Sequence, residues 1–101
     1  MTTNEIEKLA DIFKALSDPT RLRLVKMLSG NKGTLCVNAL SYMLGVTQSA
    51  VSQHLRVLRQ AGLVRGERRG NFVHYALDQD VLGDYKDRII KTLGEEFVVI
   101  K

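Results

Sequence analysis

The side chains best suited to chemistry lie between residues 47 and 71, where amide, hydroxyl and guanidinium groups recur at regular spacing. Glutamine amides can pair bidentately with adenine, and short hydroxyl side chains beside a helix N-terminus can hold phosphates. Arginines at a hairpin tip have little packing value and suit phosphate or minor-groove contact. The pattern predicts DNA contact through Thr47, Gln48, Ser49, Ser52, Gln53, Arg56, Arg68, Arg69 and Asn71.

Nucleophile and base types are also present, but their spacing argues against catalysis. Ser52 and His54 lie two residues apart on a predicted helix and therefore point in different directions. No acid or glycine-rich phosphate loop completes a site. The chain is not expected to be an enzyme, and no residue pattern in it implies a cofactor.

The two histidines have other interpretations. His54 lies near the apolar edge of its predicted helix, which favours a half-buried hydrogen-bonding residue over a base contact. His74 is expected to point outward from a strand, either solvated or close to DNA.

Cys36 is the single cysteine of the chain. Alone it forms no internal disulfide and supplies no four-ligand zinc site. It precedes a predicted helix, where the positive end of the dipole favours a thiolate, so it is a candidate redox sensor. A small buried packing residue is the alternative.

Basic charge is concentrated in the same part of the chain as the candidate DNA contacts. The formal net charge is +4, and residues 46–75 contain five arginines against one acid. Such a concentration favours a face that binds a polyanion, with a solvated face that has no partner as the alternative.

Helical periodicity predicts three helices before this basic stretch. The first runs from Asn4 to about Ser17, Asp18 and Pro19 start the second, and Gly45 ends the third. A short apolar bridge, residues 35–37, precedes the third helix. The apolar residues predicted to face inward are Ile6, Leu9, Ala10, Phe13, Leu16, Leu22, Val25, Leu28, Leu40, Met43 and Leu44.

A fourth helix over about residues 47–60 is expected to carry most of the candidate contacts. Thr47 is its expected N-cap, and Val51, Leu55 and Leu58 form its inward stripe. Residues 63–69 and 72–77 then flank Gly70-Asn71, a pair that tolerates the positive φ of a tight hairpin. A last helix covers about residues 80–93, and no conformation is predicted for residues 94–101.

These elements predict a fold that is mainly α with a small β-hairpin, a winged helix-turn-helix. Two helices joined by a glycine turn, the second polar on its outer face, fit the major groove of DNA. With 101 residues, no repeat, no signal peptide and no membrane span, we expect a single cytoplasmic domain over residues 1–101.

Three segments resemble the ArsR/SmtB family of bacterial and archaeal repressors: ALSDPTRLRL at 15–24, LCV at 35–37 and VTQSAVSQHLRVLRQAGLV at 46–64. The resemblance covers residues 5–93 and implies a winged-helix repressor that leaves its operator when an inducer, often a metal ion, binds. It also implies DNA contacts at Gln48, Ser49, Ser52, Gln53 and Arg56 on the recognition helix, with Arg69 and Asn71 on the wing.

The same resemblance implies a homodimer joined through the first and last helices. An inverted-repeat operator also requires two reading helices about 34 Å apart, related by a two-fold axis. The apolar stripes of these helices exceed what a short monomer easily buries. The predicted interface residues are Leu9, Phe13, Leu16, Leu82, Tyr85, Ile89 and Leu93.

The metal sites of the family are incomplete in this sequence. The Cys-Val-Cys core of its third-helix site reads Cys36-Val37-Asn38, and the Asp-x-His of its last-helix site reads Asp84-Tyr85-Lys86. No metal site is therefore expected, and the inducer would be an unidentified small molecule or oxidant, or absent. The alternative function is a winged-helix protein-interaction module that does not read DNA sequence.

Overall fold

The computed structural model describes residues 3–30 and 33–94. Within them the elements are α1 (Thr3–Leu16), α2 (Pro19–Ser29), β1 (Leu35–Cys36), α3 (Val37–Leu44), α4 (Gln48–Gln60), β2 (Val64–Arg69), β3 (Phe72–Leu77) and α5 (Gln79–Ile89). A π-helical segment, Ile90–Gly94, continues α5. The predicted class, mainly α with a small β-hairpin, is confirmed. None of the helices in the described ranges has the length and apolar character of a membrane span.

Local chemistry at Asp18 and Pro19 separates α1 from α2. The Asp18 carboxylate accepts a hydrogen bond from the backbone N–H of Arg21 at 3.1 Å and so caps α2. Pro19 occupies the first helical turn, where its missing N–H leaves no bond unmade. The predicted start of the second helix is therefore confirmed.

The Asp18 cap should make stability depend on acid pH. The bond from the Arg21 N–H holds the pKa of the Asp18 carboxyl below its ordinary 3.8, although burial acts in the opposite direction. A carboxyl whose folded pKa is lowered stabilises the fold above its unfolded pKa, and this stabilisation is lost as pH falls through the folded value.

Asp18→Asn keeps a capping side chain but not the titration. We expect the unfolding free energy of the parent to fall more steeply below about pH 4 than that of the variant, measured by urea denaturation from pH 6 to pH 3. Parallel curves would contradict this assignment.

The three strands form one antiparallel sheet in the order β1-β3-β2. Along the hairpin, Val64 lies opposite Leu77 and Arg69 opposite Phe72. On the other edge of β3, β1 places Cys36 opposite His74. The predicted hairpin is confirmed, and Gly70 alone of its two loop residues uses positive φ, at 62°. The apolar bridge predicted at 35–37 contains β1, the strand that joins the predicted hairpin in the sheet.

The main core lies between α2, α3, α4 and the base of the hairpin. The inward stripe predicted for α4 is confirmed, because Val51, Leu55 and Leu58 are completely buried. The buried cluster consists of Leu24, Leu28, Leu40, Val51, Leu55, Leu58, Leu63, Val64 and Leu77.

The predicted inward faces of α2 and α3 are partly wrong. Leu22 and Met43 are each 51% exposed. Leu24 and Leu28 are the buried residues of α2, and Leu40 is that of α3. Residues two apart on a helix point to nearly opposite sides, so the burial of Leu24 turns Leu22 outward.

The inward face of α1 differs from the prediction in the same way. The helix buries Leu9, Ile12 and Ala15, whereas Ile6 and Phe13 are 46% and 43% exposed. Ala10 is also exposed. The stripe that packs is therefore rotated from the predicted one, and two large apolar side chains remain outside.

The last helix begins at Gln79, and Asp78 caps it by accepting a hydrogen bond from the N–H of Val81 at 3.1 Å. Its regular part ends at Ile89, and the π-helical segment carries the chain to Gly94. The segment 95–101, for which no conformation was predicted, lies outside the described residues.

Candidate nucleic-acid interface

A short, well-bonded turn sets the angle between α3 and α4. Gly45 has φ of 68°, a left-handed conformation that favours glycine, and its N–H donates to the Ser41 carbonyl at 2.9 Å. The N–H of Val46 donates to the same carbonyl at 3.3 Å. The predicted glycine turn is confirmed, and it joins the two helices of a helix-turn-helix.

Thr47 begins α4 by capping it. Its hydroxyl oxygen accepts a hydrogen bond from the N–H of Ala50 at 3.1 Å, as predicted for an N-cap. Because the oxygen is used in this bond, Thr47 has a structural role. Its hydroxyl proton remains able to donate to a phosphate.

The outer face of α4 carries the polar side chains singled out from the sequence. Ser49, Ser52, Gln53 and Arg56 follow at spacings of three and four residues, so they share one side of the helix. All four are exposed, as is Gln48 in the first turn, and the opposite side of α4 is fully buried. A helix with a dry inner face and a continuous polar outer face can enter a groove without uncovering the core.

The tip of the hairpin presents three polar side chains to solvent. Arg68, Arg69 and Asn71 are all exposed. The Arg69 guanidinium pairs with the Glu67 carboxylate at 3.3 Å, an interaction that the sequence prediction omitted. Because both partners are about half exposed, the pair is weak and a phosphate can compete with it.

A surface cavity of about 290 Å³ lies between α4 and the hairpin. Gln48 and Ser52 line it from the helix, and Asn71 and Phe72 line it from the hairpin, so the structure brings Asn71 together with two predicted contacts of α4. Arg69 instead lines a separate surface cavity, together with Leu28 and Gln79. Phe72 is 59% exposed here and was missed as a candidate contact. Its signal in the sequence was an aromatic residue directly beside the polar loop.

Cys36 also lines this cavity and is half-buried. It occupies the N-cap position of α3 but makes no side-chain cap bond. The redox role considered from the sequence stays a prediction.

The histidines are both half-buried and both have neighbours. His54 lies beside Arg21 and Asp18, in agreement with its interpretation as a half-buried hydrogen-bonding residue. His74 was expected to be solvated or close to DNA. Instead, its Nδ1 lies 3.3 Å from the hydroxyl of Thr34.

The residues predicted for a dimer interface separate into two groups. Leu9 is 5% exposed and packs mainly within its own protomer. Leu16, Leu82 and Tyr85 are partly buried against the core of the same chain. These four residues contribute mainly to the fold of the protomer.

The other predicted interface residues remain accessible. Phe13 and Leu93 are 43% and 56% exposed, and Ile89 is half-buried. Ile6 and Ile90, which the prediction left out, are each 46% exposed. Because α1 packs against α5, these apolar side chains belong to neighbouring elements.

The potential ligands of the two metal sites do not converge here. Asp84 pairs with Arg88 at 3.0 Å, one helical turn away. Within residues 3–30 and 33–94, no three His, Cys, Asp or Glu side chains form a group that could hold a metal ion.

Comparison with known proteins identifies the family. Residues 18–65 match the family described as bacterial regulatory protein, arsR family. The chain is 38% identical over 89 residues to an uncharacterised helix-turn-helix transcriptional regulator of Methanocaldococcus jannaschii, covering 88% of this chain and 94% of that protein. It is 40% identical over 88 residues to a transcriptional repressor SmtB homologue of Synechocystis, covering 86% of this chain and 65% of that protein.

The fold is likewise similar to a solved structure. A homodimeric winged helix-turn-helix DNA-binding domain from Mycobacterium bovis, a possible ArsR-family regulator, superimposes with a TM-score of 0.71 at 25% identity. The superposition covers 86% of this chain and 80% of that one. Together with the matched family and the archaeal relative, the likeness establishes that the chain belongs to the ArsR family of winged helix-turn-helix transcriptional regulators.

Proposed function

We propose that this chain is a cytoplasmic transcriptional repressor that binds an inverted-repeat operator as a homodimer. In this proposal α4 lies in the major groove, and the hairpin β2-β3 is the wing on the flanking backbone or minor groove. The observation that carries it is the exposed stripe of Ser49, Ser52, Gln53 and Arg56 over a fully buried inner face. This stripe lies directly after the helix-turn-helix turn, and Ser52 within it shares a surface cavity with Asn71 of the hairpin loop.

Two kinds of contact are assigned to this surface. Gln48 and Gln53 have amides that can pair with the edge of adenine and so specify sequence. Thr47, Ser49 and Ser52 can donate to phosphates at the helix N-terminus and so fix its register. Arg56, Arg68 and Arg69 add charge, and Asn71 adds an amide at the wing tip.

The homodimer is supported by the apolar residues left exposed on α1 and after α5. Ile6, Phe13, Ile90 and Leu93 are large, and each is more than 40% exposed. The Mycobacterium bovis relative is described as a homodimer. A two-fold dimer would present two copies of α4 about 34 Å apart, which matches successive major grooves.

Release from DNA would not use the metal sites of the family. Asn38 replaces one of two thiolates, and Asp84 is engaged by Arg88 with Lys86 close to it in sequence. One thiol is too few for selective binding of a soft metal. Added zinc should therefore leave operator affinity unchanged, and peroxide tests the remaining redox hypothesis at Cys36.

A matched set of variants tests the DNA assignment. Gln53→Ala should reduce the preference for the operator by roughly 1–3 kcal/mol at one base pair. Arg69→Ala should weaken binding to all sequences and flatten the salt dependence, because it removes a phosphate contact. Glu67→Gln releases Arg69 from its ion pair, so it should strengthen binding to all sequences and steepen the salt dependence. Fluorescence anisotropy against DNA from upstream of the gene, at two salt concentrations, measures all three.

Two results would contradict the proposal. If Gln53→Ala weakened binding to all DNA equally, α4 would not be the reading helix. If the parent protein showed no sequence preference and little salt dependence, the surface would instead be a protein-interaction module.

A further inference from the structure

A second polar cluster lies behind α4, on the side away from the proposed DNA contacts. His54 points from α4 toward the corner between α1 and α2, and its side chain is 24% exposed. It meets Arg21 of α2 and Asp18, the cap of α2. The cluster therefore joins three helices at a point that sequence spacing does not reveal.

Arg21 forms the centre of this junction. Its Nε donates to the carbonyl oxygen of Ala15 at 2.6 Å, and its Nη2 donates to that of Lys14 at 3.3 Å. Both carbonyls are in the last turn of α1, where positive charge is favourable, and that of Lys14 also accepts from the backbone N–H and the hydroxyl of Ser17. The third nitrogen, Nη1, lies 3.3 Å from Nδ1 of His54.

The chemistry of arginine restricts which tautomer of His54 can make this hydrogen bond. A guanidinium has donors and no acceptor, so Nδ1 of His54 must accept the hydrogen bond. The tautomer with its proton on Nε2 is the one that can accept this bond. Each nitrogen of the planar guanidinium then contacts a different acceptor, and lysine has no equivalent geometry.

Asp18 is the competing partner for the same ring nitrogen. Its carboxylate lies 3.8 Å from Nδ1 of His54 while it accepts the N–H of Arg21. A carboxylate cannot bond to an unprotonated nitrogen. Asp18 and Arg21, one anion and one cation, both lie against His54, and only a ring with an unprotonated Nδ1 can accept from the cation.

We infer that Arg21 and His54 are positioning residues for DNA reading, an inference that rests on the proposed function. Their contact ties the middle of α4 to the carbonyl end of α1, and so fixes the rotation of the polar stripe relative to the rest of the protomer. Base contacts depend closely on that rotation, whereas phosphate attraction depends mainly on charge. Loss of the contact should therefore lower selectivity more than overall affinity.

Three variants test this inference. His54→Leu keeps an apolar body but removes the acceptor, whereas His54→Gln restores an acceptor oxygen for Arg21. Arg21→Met removes the guanidinium and keeps the aliphatic stem. We expect His54→Leu and Arg21→Met to reduce the ratio of operator to non-specific affinity by roughly ten-fold, the scale of one lost base contact. His54→Gln should stay close to the parent, and the salt slope of His54→Leu should not change. Thermal unfolding of each variant establishes that it is folded at the assay temperature.

A measurement without DNA separates this inference from the proposed function. The nitrogen chemical shifts of the imidazole in the free protein should show Nδ1 unprotonated and Nε2 protonated, and Arg21→Met should alter the Nδ1 shift. A protonated Nδ1 in the neutral ring would overturn the contact, whatever the protein does with DNA. Unchanged selectivity in His54→Leu would overturn the positioning role while the repressor assignment stands. A parent protein without selectivity would remove the proposed function and this inference with it.

Discussion

Replacing Phe13 with glutamate is expected to convert the proposed homodimer to a monomer and to weaken operator binding by roughly 10²–10⁴-fold. Phe13 is 43% exposed on α1, and the core side of that helix is formed by Leu9, Ile12 and Ala15. The change therefore places a charge in the proposed interface without disturbing the fold. A monomer binds one half-site and loses the gain in effective concentration that links two reading helices.

Sedimentation and operator titration measure the two parts of this result. Tyr42→Glu is the matched control, because Tyr42 is an aromatic residue that is 89% exposed on α3, away from the proposed interface. It should leave the mass unchanged. A Phe13→Glu protein that remained a stable dimer would place the interface elsewhere.

The second large effect is expected at Leu55, in the middle of the buried stripe of α4. Its side chain is 0% exposed and belongs to the core cluster that joins α2, α3 and the hairpin base. Leu55→Ala should lower the free energy of unfolding by about 2–5 kcal/mol, since it removes buried methyl groups and leaves a cavity that the neighbours only partly fill. This is a large part of the roughly 5–15 kcal/mol that stabilises a typical domain.

Urea denaturation at a fixed protein concentration measures this loss, because a dimer gains stability from mass action. Gln53→Ala, on the exposed side of the same helix, is the control and should change stability by less than about 0.5 kcal/mol. Similar costs for both variants would mean that α4 does not pack as described.

The sequence predicted best those elements that short-range chemistry determines. The Asp18-Pro19 helix start, the turn at Gly45 and the hairpin loop at Gly70 each depend on residues adjacent in the chain. The burial of α4 was also predictable, because its apolar and polar residues fall on clearly separate sides. The candidate DNA contacts on its exposed side followed directly from this separation.

Errors arose where tertiary packing selects among several apolar faces. On α2, both Leu22 and Leu24 are apolar, and only contact with the neighbouring helices decides that Leu24 is buried. The same ambiguity left Ile12 out of the predicted core. The strand β1 has two residues and exists through its pairing with β3, about 40 positions later. The contact between Arg21 and His54 spans 33 positions and carries no periodic signal.

The two-residue strand β1 also has a mechanical consequence for the wing. It supports β3 at His74 and Tyr75, and it continues directly into α3, so the base of the wing is held from both edges. Beyond His74 only the hairpin partner remains. Bending against DNA should therefore be confined to the outer part around Arg69 and Phe72, while a displacement of the base would have to move the start of α3 with it. The tip of the wing should therefore bend more easily than its base, and the base is attached to α3, the first helix of the helix-turn-helix.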